Sequence, residues 1–152
     1  MYYRLFGFLK LLNWTIMAGY SGSPLLKKLG IKDGFKIMVL NKPDYYWNLF
    51  DSLPSNLGVV DSQSEDLVDF IHFFTKSEEE LQGKILNLKS QLKPTGMLWI
   101  SWPKKASKVL TDIDDGIVRS IGLKSGLVDV KVCAVDEVWS GLKFVFRLKD
   151  RP

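Results

Sequence analysis

The chain has 152 residues, a length that predicts one domain with a sizeable buried core. Its 46% hydrophobic and 25% charged residues are typical of a soluble globular protein. The net charge of +4 is spread along the sequence with no long basic run, so it gives no signal of nucleic-acid binding.

Cysteine and histidine are too scarce for disulfide or metal chemistry. The single cysteine, Cys133, excludes an intramolecular disulfide and a paired-cysteine metal site. One histidine and scattered acids match no metal-ligand spacing, so we predict no metal site. A reducing compartment fits this composition, and we expect a cytoplasmic protein.

The first 16 residues form an apolar extension in which Arg4 and Lys10 are the only charges. Lys10 interrupts the stretch, which therefore predicts neither a transmembrane segment nor a signal peptide. Three interpretations stay open: an upstream start with Met17 as the initiator, an apolar helix packed on the domain or a partner, or a membrane-surface helix. We divide the chain into an extension over 1–16 and a single α/β domain over 17–152.

Punctuating residues and apolar runs predict four elements in the first part of the chain. They are a helix from an Ser23 cap to Gly30 with Pro24 in its first turn, a strand over Phe35 to Leu40, a helix from an Asp44 cap to Leu53, and a strand over Gly58 to Val60.

The second part of the chain predicts three further strands, two helices and a final strand. They are a strand over Leu67 to Phe74, a helix with a capping box at Ser77 and Glu80, a strand over Met97 to Ile100, a helix capped by Thr111, and strands over Val128 to Val135 and Leu142 to Leu148 joined by a turn at Trp139 to Gly141.

This alternation of strands and helices predicts one three-layer α/β domain with a mostly parallel sheet and an antiparallel strand near the C-terminus. The link from Asp61 to Asp66 is short for a parallel crossover. One interpretation is a short second strand followed by an extended link across the sheet. The alternative is an antiparallel pair, as in a ferredoxin-like split βαβ half followed by a hairpin.

Two resemblances rest on longer segments. The run from Asp66 to Pro103 resembles the fourth strand, helix and fifth strand of class I methyltransferases, and the closing helix and hairpin are similar to the end of that fold. The runs Ala18 to Gly22, Trp102 to Ser107 and Asp129 to Glu137 resemble a family of small bacterial proteins of unknown function. The resemblance implies a reduced methyltransferase-like scaffold and supplies no established activity.

The methyltransferase resemblance also implies S-adenosylmethionine as a candidate cofactor, and here the sequence departs from the family pattern. Such folds place a glycine-rich turn after the first strand, where the cofactor lies against bare backbone. This chain has Asn41-Lys42-Pro43-Asp44 there, without glycine. Asp61 is the candidate for the acid that ends the second strand and holds the ribose hydroxyls. The family's third strand and following helix are missing.

Polar segments at the ends of the predicted strands should meet at the carboxyl edge of the sheet, where ligands of open α/β folds bind. We call this edge the carboxyl rim. Lysines and the start of the first helix would make it attractive to a small anionic ligand, and tryptophans could stack on a planar one. The predicted ligand-binding residues are Tyr20, Ser21, Gly22, Ser23, Asn41, Lys42, Asp61, Lys76, Trp102, Lys104, Lys105, Ser107, Asp136, Glu137 and Trp139.

Three functions follow as hypotheses. The first is a small-ligand-binding domain that recognises an anionic or nucleotide-like molecule at the carboxyl rim. The second is a divergent S-adenosylmethionine-dependent methyltransferase. The third is a protein-interaction module that uses the aromatic N-terminus and the rim tryptophans. We expect His72, which lies inside the strongest apolar run, to be a core imidazole.

Overall fold

Six strands form one sheet in the computed structural model, which describes residues 24–152. The strands are β1 (Lys36–Leu40), β2 (Gly58–Val60), β3 (Val68–Phe74), β4 (Leu92–Pro103), β5 (Leu127–Ala134) and β6 (Trp139–Phe146). They lie in the order β2-β1-β3-β4-β6-β5. The first four strands are parallel to one another, and β6 is antiparallel to both β4 and β5. The prediction of a mostly parallel sheet with one reversed C-terminal strand is confirmed.

Helical segments cover both faces of this sheet. The helices are α1 (Leu25–Leu29), α2 (Glu78–Ser90) and α3 (Asp115–Lys124), and single 3-10 turns occur at Tyr46–Leu49, Lys105–Ser107 and Leu148–Asp150. Helices α2 and α3 pack on one face through a core that includes Leu81, Ile85 and Val118. Helix α1 and the first 3-10 turn pack on the other face. None of the helices in residues 24–152 is long and apolar enough to cross a membrane.

Strand β2 is short and pairs with only the first part of β1. Gly58 lies beside Lys36 and Val60 beside Met38, so β2 stops before β1 does. Strand β1 lies between β2 and β3, and therefore the two strands joined by the short link do not pair with each other. The link crosses to the amino end of the sheet, where Asp66 pairs with Lys36. This arrangement excludes the ferredoxin-like alternative.

Several predicted boundaries are wrong for local reasons. Pro24 rather than Ser23 is the N-cap residue of α1, and Ser23 lies outside the described residues. The helix predicted from Asp44 to Leu53 is a single 3-10 turn at Tyr46–Leu49, within which Tyr46 is fully buried. Helix α3 is capped by Asp114, whose carboxylate accepts from the Ile117 amide, whereas Thr111 donates to the Lys76 carbonyl.

The last strands also differ from the prediction. Strand β4 begins at Leu92, just after α2. Its 12 residues are three times the length of the strand predicted over Met97 to Ile100. The hairpin turn lies before Trp139, and the segment from Trp139 to Gly141 belongs to β6. Gly141 is needed there because a Cβ would lie 3.1 Å from the Trp99 ring.

Helix α2 begins with the predicted Ser77 cap, but only one of the two hydrogen bonds of the predicted capping box forms. The Ser77 hydroxyl accepts from the Glu80 amide at 3.2 Å. The Glu80 carboxylate does not return to the Ser77 amide, which instead donates to Thr75. Glu80 accepts from the Thr75 hydroxyl at 2.6 Å and is thereby held at the carboxyl rim.

Two helix glycines give a matched test of this packing. A Cβ at Gly122 of α3 would lie 2.1 Å from the buried Phe144 ring, whereas a Cβ at Gly83 of α2 meets nothing within 4 Å. We expect Gly122→Ala to lower the free energy of unfolding by about 1–3 kcal/mol through overpacking. Gly83→Ala should raise it by up to about 1 kcal/mol through helix propensity. Urea denaturation measures both, and equal effects would contradict the packing of α3 on β6.

Candidate functional site

The carboxyl ends of β1, β3 and β4 lie side by side. Leu40 pairs with Phe73, and Phe74 pairs with Ser101, so Asn41, Lys76 and Lys104 follow strands that end at one edge. Pro103 pairs with Trp139, which brings the β5–β6 hairpin with Asp136 and Glu137 to the same edge. The predicted residues Lys42 and Lys105 lie on these loops too. The structure therefore brings together the rim lysines that the sequence predicts, and their role in binding stays a prediction.

Asp61 does not join this group. It follows Val60, which lies beside Met38, and β1 continues for two more residues before Asn41. At about 3.3 Å per residue, Asp61 is level with Val39 and is set back from the end of β1 by only about 3 Å. Its carboxylate accepts from the Gln63 amide at 2.9 Å and closes a local turn. Asp61 therefore lies at the carboxyl end of β2, on the other side of β1 from the rim lysines, and its role in binding stays a prediction.

The predicted donors at the start of the first helix are only partly described. Tyr20, Ser21, Gly22 and Ser23 lie outside the described residues. Helix α1 has five residues, and the carbonyl of its cap, Pro24, accepts from the Lys27 and Lys28 amides. Pro24 borders an open depression with Leu49, the last residue of the first 3-10 turn, and with Asp51. So short a helix gives little support to the predicted anion site at its N-terminus.

A side-chain bridge spans the ends of β1 and β3. Asn41 has a left-handed backbone, with φ of 57°. Its side-chain amide donates to the Phe74 carbonyl at 3.1 Å and to the Glu80 carboxylate at 3.3 Å. Because β2 lies on one side of β1 and β3 on the other, the crevice between β1 and β3 is the point where the strand order reverses and where ligands of such sheets bind. The Asn41 side chain therefore occupies two hydrogen-bond acceptors at that crevice, the Phe74 carbonyl and the Glu80 carboxylate.

A second bridge joins the loop after β1 to the β5–β6 hairpin. The Tyr45 hydroxyl donates to the Asp136 carboxylate at 2.7 Å. The other oxygen of Asp136 accepts from the Val138 and Trp139 amides and so fixes the hairpin turn. Partial burial and the bond to Asp136 raise the pKa of Tyr45 to about 12. Asp136 is thus occupied by protein donors, while Glu137 is exposed.

The lysines of the carboxyl rim share it with carboxylates. Lys42, Lys76 and Lys105 are exposed, and Lys104 is half-buried with its amide donating to the Val138 carbonyl at 2.7 Å. The acids on the same loops and at the start of α2 are Asp44, Glu78, Glu79, Glu80, Asp112, Asp136 and Glu137. The rim therefore has a mixed field, and a small anion would need direct contacts with particular lysines.

The two rim tryptophans do not form a stacking platform. Trp102 is 5% exposed and belongs to the core beneath α2 and α3. Trp139 is 8% exposed and belongs to the core on the opposite face, where its ring meets Phe74 edge-on. This burial agrees with packing of the two tryptophans at the end of the sheet and does not support stacking of both on one ligand. Ser107 also has a structural role, since its hydroxyl donates to the Lys104 carbonyl at 2.7 Å.

A buried polar chain lies one layer below the carboxyl rim. His72 is fully buried, and its Nε2 is 2.8 Å from the Ser101 hydroxyl while its Nδ1 is 3.0 Å from the Tyr46 hydroxyl. The His72 ring also stacks on Phe74 at 4.2 Å. Burial lowers the pKa of His72 to about 3 and raises that of Tyr46, so both are neutral at pH 7. The expectation of a core imidazole fits, although its partners are two side chains rather than the backbone.

Solved structures with similar folds are methyltransferases. One is magnesium protoporphyrin IX methyltransferase from Synechocystis PCC 6803, determined with bound SAH, which is 11% identical to this chain. Its TM-score is 0.53, and the match covers 91% of this chain and 81% of the methyltransferase chain. Aeropyrum pernix fibrillarin with natively bound S-adenosyl-L-methionine is 13% identical, with a TM-score of 0.53 and coverage of 88% and 74%. A SAM-dependent methyltransferase from Aquifex aeolicus is 17% identical, with a TM-score of 0.51 and coverage of 79% and 86%.

These comparisons show a class I methyltransferase-like fold, and at such identities they show the fold alone. No protein-family model and no curated protein sequence matches this chain. The resemblance to a small bacterial family therefore stays a prediction, while the prediction of a reduced methyltransferase-like scaffold is confirmed.

The residues around the crevice do not fit S-adenosylmethionine in the manner usual for this fold. Asn41 supplies the positive φ of a glycine, but its side chain spans the crevice and Pro43 offers no N–H. The acid expected to hold the ribose, Asp61, follows β2 as expected, but one of its carboxylate oxygens accepts from the Gln63 amide of its own turn. A cofactor in this place would have to displace the bond between Asn41 and Glu80.

His72 is the sole histidine of the chain, so its titration reports directly whether this part of the core is closed to water. Because an unfolded imidazole takes a proton below about pH 6.5 and the folded one only near pH 3, acid favours the unfolded state across that window. We expect the free energy of unfolding to fall by about 1.4 kcal/mol per pH unit below 6.5 from this group. Proton NMR should show no titration of the folded ring between about pH 8 and 5. A folded midpoint near 6.5 would contradict a closed core.

The neighbouring tyrosines should respond differently to loss of the hydroxyl. Tyr46→Phe leaves Nδ1 of buried His72 without its partner and should cost about 1–3 kcal/mol of unfolding free energy. Tyr45→Phe removes a bond at the surface, and Asp136 keeps two amide donors, so the cost should stay below about 1 kcal/mol. Chemical denaturation compares them, and a larger loss for Tyr45→Phe would be evidence against the buried chain.

Proposed function

We propose that this protein is a ligand-binding domain on a methyltransferase-like scaffold that does not use the usual S-adenosylmethionine seat. The observation that carries the proposal is the bridge from Asn41 to Phe74 and Glu80 across the switch-point crevice. The ligand class is a small molecule with an anionic group, such as a phosphate or nucleotide, bound on the outer side of the carboxyl rim.

Lys104 and Lys105 are the residues that we expect to contact this anionic group. The Lys104 backbone is fixed by its bond to Val138, and the 3-10 turn at Lys105–Ser107 is closed by the Ser107 hydroxyl. Lysines on a fixed loop lose less entropy on binding than lysines on a free one. Neither side chain pairs with a carboxylate within residues 24–152, so both are available to a ligand.

A second candidate is a divergent S-adenosylmethionine-dependent methyltransferase. The solved structures favour it, because proteins of this fold were determined with SAH or S-adenosyl-L-methionine bound. The positive φ of Asn41 at the end of β1 also agrees with a cofactor turn. The fold comparisons support this candidate better than they support recognition of an anion, whereas the closed crevice favours the first proposal.

A thermal-shift titration separates the two candidates. A ligand that binds only the folded state raises the melting temperature. We expect inorganic phosphate or ATP to raise it and SAH to leave it unchanged. The Lys104→Ala/Lys105→Ala double variant should lose the response to phosphate and ATP.

The matched control is Lys84→Ala, which removes a lysine from the exposed face of α2 and should keep the full response. Stabilisation by SAH would overturn the first proposal and establish cofactor binding, the requirement of the second. If neither phosphate nor ATP stabilises the protein, or the double variant responds like the wild type, the assignment of the anionic group to Lys104 and Lys105 is wrong.

A further inference from the structure

Four lysines from distant parts of the sequence meet on the sheet face beside α1. Lys28 and Lys32 flank the end of α1, Lys131 lies on β5 and Lys143 on β6. Lys131 and Lys143 are directly paired across the antiparallel ladder. A Cβ placed at Gly30 would be 3.8 Å from the Lys143 ammonium, so the end of α1 lies against this pair. We call these four residues the basic face.

Helix α1 is fastened in this position by the sheet itself. The Trp99 indole donates to the Leu29 carbonyl at 2.9 Å and both residues are fully buried. The bond satisfies a carbonyl at the end of α1 and brings the positively charged side chains of that end toward β6. The basic face is therefore built by a core contact and not by flexible surface chains alone.

The basic face is not neutralised. Within the described part of the chain, none of its four lysines forms an ion pair with a carboxylate, and residues 1–23 contain no acid. The acids nearest in sequence are turned elsewhere: Asp33 accepts from the Asn56 amide, and Asp129 pairs with Arg119. Partial burial, with the charges of Lys131 and Lys32, lowers the pKa of Lys143.

Such an arrangement costs stability, because like charges directly opposite each other on neighbouring strands repel. It differs from the carboxyl rim, where lysines alternate with acids. Of the four lysines, Lys32 and Lys131 are exposed and the other two are half-buried. A depression borders α1 at Leu26 and Ile31, but none of the four lysines lines it. An open cationic surface suits an extended polyanion better than a small molecule, which needs enclosure.

We propose that the basic face binds the phosphate backbone of a nucleic acid without sequence preference. Lysines act as point charges for phosphate, and an interface that rests on phosphate contacts takes its affinity from charge and counterion release and carries no direct sequence information. An acidic protein is the weaker match, since stable protein interfaces have an apolar centre. The exposed Val132 cannot supply one, because it pairs with Leu142 and faces the side of α2 and α3. This proposal concerns a different surface from the carboxyl rim and does not depend on its ligand.

The test is fluorescence anisotropy of a labelled single-stranded RNA and a labelled DNA duplex, with the full chain, across a series of salt concentrations. For single strands, each phosphate neutralised by a lysine contributes about 0.7 to the slope of log K against log salt. The Lys131→Gln/Lys143→Gln double variant should therefore lower the slope for RNA by about 1.4. Its melting temperature should rise, because the repulsive pair is gone.

The matched control is the Lys84→Gln/Lys124→Gln double variant on the exposed sides of α2 and α3, which removes the same charge from the opposite sheet face and should keep the wild-type slope. Absence of salt-dependent binding, or an equal loss of slope in both variants, overturns the proposal. Equally strong competition by poly-glutamate also overturns it and indicates an acidic protein. If the double variant is poorly folded by circular dichroism, single Lys131→Gln, at an exposed position, should lower the slope by about 0.7.

Discussion

The side-chain amide of Asn41 joins the carboxyl ends of β1 and β3 at the point where ligands of this fold enter. Its two acceptors are the Phe74 carbonyl and the Glu80 carboxylate. The Glu80 carboxylate can accept from Asn41 because it bonds to the Thr75 hydroxyl and not to the Ser77 amide, which donates to Thr75 instead. A polar group that has protein partners must lose them before a ligand can bind, which costs free energy. The binding properties of the scaffold therefore depend on this small network.

The sheet could be predicted from the sequence because its signals are local. The apolar run over Phe70 to Phe74 gives the central strand, and the box at Ser77 gives the start of α2. The site could not be predicted to the same extent, because register and side-chain direction depend on distant partners. Asp61 follows a strand in the sequence as predicted, yet its carboxylate accepts from the Gln63 amide of its own turn. A buried imidazole requires hydrogen-bond partners, but the sequence does not identify the Tyr46 hydroxyl as the partner of His72.

Charge illustrates the same limit. The net charge of +4 is modest and its lysines are scattered in the sequence. The fold separates them into two surfaces of different character: the carboxyl rim, where acids intervene, and the basic face, where Lys131 and Lys143 are opposed without an acid. The register of β5 and β6 and the bond from Trp99 to Leu29 produce this second surface. Neither contact is visible in a linear pattern of residues.

The central claim is that the protein's own side chains close the switch-point crevice. A crystal structure of the protein grown with excess SAH tests this most directly. We expect the Asn41 amide within hydrogen-bonding distance of the Phe74 carbonyl and the Glu80 carboxylate, with no adenosine density between β1 and β3. Density for SAH in that crevice, with Asn41 swung away from Glu80, would contradict the account.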